Sequence, residues 1–139
     1  MTFFERLQNG LILFDGAMGT QVHDLQPTDE EWDGRNGCPE VLNLTIPHKI
    51  QKIHEGYLAA GSDVVETNTF GGSKIVLSEF DLQDRVVEIN RTAAEIARRA
   101  VNAFSTPETP RFVAGSIGPG TKLVTLGQTD FDTMYESYA

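Results

Sequence analysis

The sequence predicts an α/β fold, the first three βα units of an incomplete (β/α)8 TIM barrel, and three observations point that way. Leu11-Ile12-Leu13-Phe14, Asp63-Val64-Val65 and Phe112-Val113-Ala114 are short apolar runs without alternation, as suits strands buried on both faces. Each breaks straight into a small, polar, glycine-bearing loop: Asp15–Thr20, Glu66–Gly72 and Gly115–Gly120. Segments of helical period separate the runs, so the order is β-α-β-α-β-α with strands starting near 11, 63 and 111. Right-handed crossovers make such strands parallel, as in the opening of a barrel or of a doubly wound sheet. In either architecture the ligand lies in the loops at the strand carboxyl ends.

The elements follow in order. After the first strand, the polar stretch from His23 to Asn43 holds Pro27, Gly34, Gly37 and Pro39 without a period and reads as an ordered excursion or a lid. Within it, Trp32 beside Asp29, Glu30 and Glu31 reads as an exposed helical turn pinned by one aromatic. Thr45 is placed to cap a helix that tolerates Pro47, because first-turn amides lack intrahelical partners. Ile46, Ile50, Ile53 and Tyr57 form its apolar stripe, and Gly61 ends it. Ser73 opens a short helix with Val76, Leu77 and Phe80 inward, and Asp81 and Asp84 favour the amino end of a longer one. The inner face of that helix reads Val86, Ile89, Asn90, Ala93, Ile96, Ala97, Ala100, Val101 and Phe104, with Glu88, Arg91, Glu95, Arg98 and Arg99 outward. Ser105–Pro110 connects to the third strand, and another helix begins at Asp130.

Composition limits the function. At 139 residues with 40% apolar content the chain has the size and core of one domain. A formal charge of −9 argues against a nucleic-acid or polyanion surface, which needs clustered Lys and Arg. One cysteine, Cys38, makes neither an internal disulfide nor a thiolate metal site, and a cytoplasmic setting is expected. The start lacks the apolar core of a signal peptide, and no run approaches the roughly 20 apolar residues that span a bilayer.

The loops carry the candidate chemistry. Asp15-Gly16-Ala17-Met18-Gly19-Thr20 offers a carboxylate to a cation and closely approachable backbone amides to an anion, a pairing that suits a zwitterionic amino acid. The same residues also suit a plain turn capped by Asp15. The loop is neither a P-loop nor a dinucleotide fingerprint. Glu66-Thr67-Asn68-Thr69 sets four hydrogen-bonding side chains just past a strand, costly in a core but useful at a barrel mouth. By alternation, Glu66 and Asn68 face one way and Thr67 and Thr69 the other. The alternative is that the threonines cap Gly71–Ser73 and Glu66 pairs with a basic side chain. Gly115–Thr121 equally suits a turn or the close approach of a ligand. His23, His48 and His54 form no metal-binding pair and read as surface or packing residues, and Cys38 reads as a small buried hydrophobe.

Taken in order, the 15–20 loop, Asn36-Gly37-Cys38-Pro39-Glu40, Leu42-Asn43-Leu44-Thr45, Gly61-Ser62-Asp63, Glu66–Gly71, Arg85–Asn90 and Gly115–Pro119 resemble the amino-terminal homocysteine-binding domain of cobalamin-dependent methionine synthases. The resemblance spans nearly the whole of residues 1–139, and its force lies in the ordered set. Relatives that use betaine or S-methylmethionine as methyl donor share the barrel, but the long excursion before Asn43 is more similar to the cobalamin enzymes.

The resemblance implies a barrel that binds homocysteine and a zinc ion held by three cysteines. The substrate sulfur is the fourth ligand, and the zinc stabilises a thiolate whose unperturbed pKa is about 8.5. It implies methylcobalamin as donor, recharged by 5-methyltetrahydrofolate on separate domains. Carried over by position, Asp15 would hold the substrate ammonium, the amides of Gly16, Ala17 and Met18 its carboxylate, and Thr67 and Asn68 would add hydrogen bonds. The family's zinc cysteines follow later strands, Cys38 matches none of them, and residues 1–139 correspond to about three of eight barrel units. Neither zinc nor cobalamin, and no methyl transfer, is therefore expected of this segment alone. The remaining barrel and the cobalamin and folate domains would be its partners. The competing reading is a self-contained α/β module that binds an amino acid without catalysis. An open piece of barrel leaves strand edges and apolar faces uncovered, so poor behaviour in isolation is expected.

Overall fold

The computed structural model describes residues 1–139. Its order is α1 (Phe3–Gln8), α2 (Met18–Leu25), α3 (Leu42–Thr45), α4 (Pro47–Ala60), β1 (Val64–Glu66), α5 (Lys74–Leu77), α6 (Val86–Phe104), β2 (Phe112–Ala114) and α7 (Phe131–Tyr138). β1 and β2 pair in parallel, Val64 with Phe112 and Glu66 with Ala114, and Phe14 makes a single parallel pairing with Val64 on the other side. No helix is long and apolar enough to cross a membrane.

The expected first strand is thus reduced to one pairing. The Leu13 carbonyl accepts the Asp63 and Val64 N–H groups at 2.8 and 3.1 Å, and Asp15 N–H returns to the Val64 carbonyl at 3.0 Å. No strand lies on its other side to extend the ladder, so Leu11, Leu13 and Phe14 are exposed, against the expectation of burial on both faces. Val64 and Val65 of β1, flanked on both sides, are buried as expected, and β2 is half-buried.

The helices follow the pattern more closely. α6 buries Ile89, Ala93, Ile96, Ala97, Ala100 and Val101 and exposes Glu88, Arg91, Glu95, Arg98 and Arg99, as its period requires. It packs on α4, which buries Ile50, Ile53, His54 and Leu58. Each such aliphatic burial stabilises by roughly 1.5–3 kcal/mol. Gly61 ends α4 at φ 114°, a left-handed conformation that glycine adopts without a Cβ clash. Asp130 caps α7, and the Ser73 hydroxyl caps α5.

Three expectations need correction. Thr45 does not cap α4: it ends α3 and its hydroxyl turns back to the Val41 carbonyl, leaving Ile46 as the cap and Pro47 as first residue. The loop foreseen over Asp15–Thr20 stops at Ala17, where α2 begins. The excursion is ordered but is no lid, since Cys38, Val41 and Leu42 enter the main core with Ile50, Leu77 and Ile89. The turn at Asp29 and Glu30 is exposed and Trp32 pins it by packing against that same core, as expected. The amino-terminal helix α1 was not foreseen, although Thr2 and Glu5 form a reciprocal capping box.

His54 is fully buried and neither ring nitrogen has a hydrogen-bond partner. Burial pushes its pKa down to about 4. The unfolded chain takes that proton near 6.5, so stability is complete above that pH and is lost as pH falls from about 6.5 through 4, by about 3 kcal/mol. His54→Leu should flatten this part of the stability–pH curve and leave stability at pH 8 equal or higher, as denaturant unfolding across pH would report.

Candidate functional site

The segments leaving Phe14, β1 and β2 open on one side of the sheet into a cleft of about 430 Å³. Its walls are Asp15–Gly19, the Glu66–Gly71 loop, Gly37, Pro39 and Glu40 of the excursion, Val76, Phe80 and Ser116. Asp15, Gly16, Ala17, Met18, Thr67 and Asn68, the residues singled out in the sequence, all line it.

Asp15 is anchored at both ends, its N–H on Val64 and its carboxylate accepting the Glu66 N–H at 3.0 Å. Burial pushes its carboxyl above the ordinary range; the Glu66 N–H bond opposes this, and the neighbouring Glu66 carboxylate adds to the rise. Such a carboxylate gains most from a cation placed beside it. Next to it, Gly16 and Ala17 donate to no backbone carbonyl, and Met18 and Gly19 occupy the first turn of α2, where amides have no intrahelical acceptor. The result is a carboxylate adjoining a cluster of free N–H groups at the positive end of a helix dipole. One group suits an ammonium and the other a carboxylate.

Thr67, Asn68 and Thr69 are buried and largely occupied with each other and with neighbouring loops. The Thr67 and Thr69 hydroxyls lie 2.6 Å apart; Thr67 accepts the Ser116 N–H at 3.1 Å, and Thr69 donates to the Ser116 carbonyl at 2.8 Å. Asn68 donates to the Pro39 carbonyl at 2.8 Å and to Asn43 Oδ1 at 3.1 Å, while Asn43 donates back to the Asn68 carbonyl at 2.8 Å. The two threonines thus serve the β2 loop and Asn68 the excursion, as alternation requires, but Glu66, expected on the Asn68 side, also bonds the β2 loop. Glu66 is exposed and accepts from the Ser116 hydroxyl rather than pairing with a basic side chain.

Glu40, unassigned in the sequence beyond its motif, is a buried carboxylate in the wall. It accepts the Gly71 N–H at 2.7 Å and the Cys38 thiol at 3.6 Å. The signal was the Pro39-Glu40 pair after a glycine-rich stretch, whose folding back onto residue 71 is a long-range event. Burial, then the Glu40 charge, pushes the Cys38 thiol up to about 11. Cys38 is the sole thiol, and no three His, Cys, Asp or Glu side chains group as a metal site requires, so this donor set does not fit zinc.

The profile of the homocysteine S-methyltransferase family matches residues 12–139, and the chain belongs to that family. It is 42% identical over 134 residues to a methionine synthase of Mycobacterium leprae and 41% identical over 132 residues to that of Mycobacterium tuberculosis. These alignments cover 96% and 95% of the chain but 11% of each relative, so the chain spans about a ninth of their length. The crystal structure of the metallated homocysteine methyltransferase MmuM from Escherichia coli superimposes with a TM-score of 0.68 at 21% identity, over 96% of this chain and 51% of that one. That likeness shows the fold.

Asn68→Ala strips the Pro39 carbonyl and Asn43 of their donor in a buried setting. It should destabilise the protein by roughly 2–4 kcal/mol in denaturant unfolding; an effect near zero would contradict the role of this mesh.

Proposed function

We propose that this chain forms the first three βα units of a (β/α)8 barrel and supplies the amino-acid grip of a methionine synthase. The parent transfers a methyl group from methylcobalamin, recharged by 5-methyltetrahydrofolate, to homocysteine. The observation that carries this reading is the adjacency of the Asp15 carboxylate and the free amides of Gly16, Ala17 and Met18 in one cleft. The identity to two methionine synthases supports the choice within the family. The unpaired edge at Leu11, Leu13 and Phe14 favours a barrel over a self-contained module, since exposed apolar strand edges ask for a covering strand.

In this reading Asp15 pairs with the substrate ammonium and the three amides take its carboxylate, which leaves the side chain free to extend across the cleft towards Val76 and Phe80. Thr67 and Asn68 act by holding the β1 loop in place against the excursion and the β2 loop. Zinc, when bound in the parent, supplies stabilisation of the substrate thiolate, and its ligands lie outside residues 1–139. Because burial raises the Asp15 carboxyl, affinity for the ammonium falls as pH drops through that raised value.

Asp15→Asn in the full-length protein removes a charge-assisted bond of about 1.5–3 kcal/mol and should raise the KM for homocysteine by about 10-fold or more. Steady-state methylation assays check this, and an unchanged KM would contradict it.

A further inference from the structure

We propose that Tyr57 is a positioning residue for the carboxylate end of the ligand, a role that rests on the reading of the cleft given above. Tyr57 lies on α4, outside the cleft lining, and its hydroxyl donates to the Ala17 carbonyl at 2.9 Å. That carbonyl and the Met18 N–H belong to one planar peptide unit and point in opposite directions. Fixing the oxygen therefore fixes the direction of the amide, and a hydrogen bond on the oxygen also polarises the N–H on the far side.

The ring acts on the neighbouring residue. A Cβ built on Gly16 would lie 3.0 Å from both Cε1 and the hydroxyl oxygen of Tyr57, so the ring packs tightly against Gly16 and would have to give way to any side chain there. Ala17, the residue before α2, has no side-chain cap; the Thr20 hydroxyl reaches its carbonyl only at 3.5 Å, and the tyrosine adds the shorter bond from a different element. Burial, and then the nearby Asp15, raises the phenol pKa and keeps it protonated as a donor. Tyr57 thus joins the free-amide segment to a helix whose inner face is locked in the core.

The test is ligand selectivity in the holoenzyme. Homocysteine carries both groups, 4-mercaptobutanoate only the carboxylate, and 3-mercaptopropylamine only the ammonium. Tyr57→Phe keeps the ring and removes one neutral hydrogen bond, so Kd for homocysteine and 4-mercaptobutanoate should rise about 3- to 10-fold by calorimetry, with 3-mercaptopropylamine unchanged. The loss in turnover should appear in KM more than in kcat. Gly16→Ala, which forces the ring aside, should show the same selectivity. Equal weakening of all three ligands would reduce Tyr57 to a merely structural part and overturn the proposal. If Asp15→Asn weakens the amine-bearing ligands while Tyr57→Phe changes none, the positioning role is overturned and the reading of the cleft stands. If neither substitution affects any ligand, that reading fails and the role with it.

Discussion

The carboxylate of Asp63 is the constraint from which the rest of the arrangement follows. It accepts the Leu13 N–H at 3.0 Å and the Arg111 guanidinium at 2.9 Å, and it lies 3.5 Å from the Arg6 guanidinium. One half-buried side chain therefore ties the entry of β1 to the first extended segment, to the entry of β2 and to helix α1. Arg111 also donates to the Gly61 and Ser62 carbonyls, which closes the end of α4 into the same knot, and Phe3 of α1 meets Phe112 edge-on. Strands this short have few ladder bonds to set their register. A charged group shared among their starts sets it instead, and their carboxyl ends then arrive together at the cleft.

At that opposite end the polar groups divide into two kinds. The Thr67–Thr69–Ser116 and Asn43–Asn68–Pro39 bonds are satisfied within the protein and fix three loops relative to one another. Asp15 and the amides that follow it keep unused capacity. These groups sit at the open rim of the cleft, so a ligand that bonds them takes the place of water there. This division explains why a polar loop such as Glu66–Thr69 is tolerated beside the core while unused hydrogen-bonding capacity lies at residues 15–18. Cys38 belongs to neither kind: its thiol, raised to about 11 by burial and the Glu40 charge, faces Glu40 inside the wall.

Much of the fold was legible in the sequence because its signals are local. The stripe of α6, the Gly61 stop, the helix start at Asp130 and the two valines of β1 each depend on neighbours within a turn or two, and each appears where its pattern falls. The failures share a cause in tertiary competition. Thr45 looked like a cap because Pro47 follows it, but the turn before it claimed its hydroxyl. Leu11–Phe14 looked like a buried strand because it is apolar, but burial needs partners on both sides, and composition does not supply them. The excursion has no period because its side chains, Cys38, Val41 and Leu42 among them, are fitted individually into gaps between α4 and α6. The loop residues singled out in the sequence share one cleft because the order of strands and loops brings them there, whereas Glu40 and Tyr57 were not legible, since they reach their partners across 31 and 40 residues of chain.

The central claim is that residues 15–18 grip the α-amino acid end of the substrate. A crystal structure of the full-length protein with homocysteine bound tests it most directly. The account predicts the substrate carboxylate at about 3 Å from the amides of Gly16, Ala17 and Met18, with the ammonium against Asp15. Homocysteine bound with its carboxylate and ammonium away from these residues would contradict it.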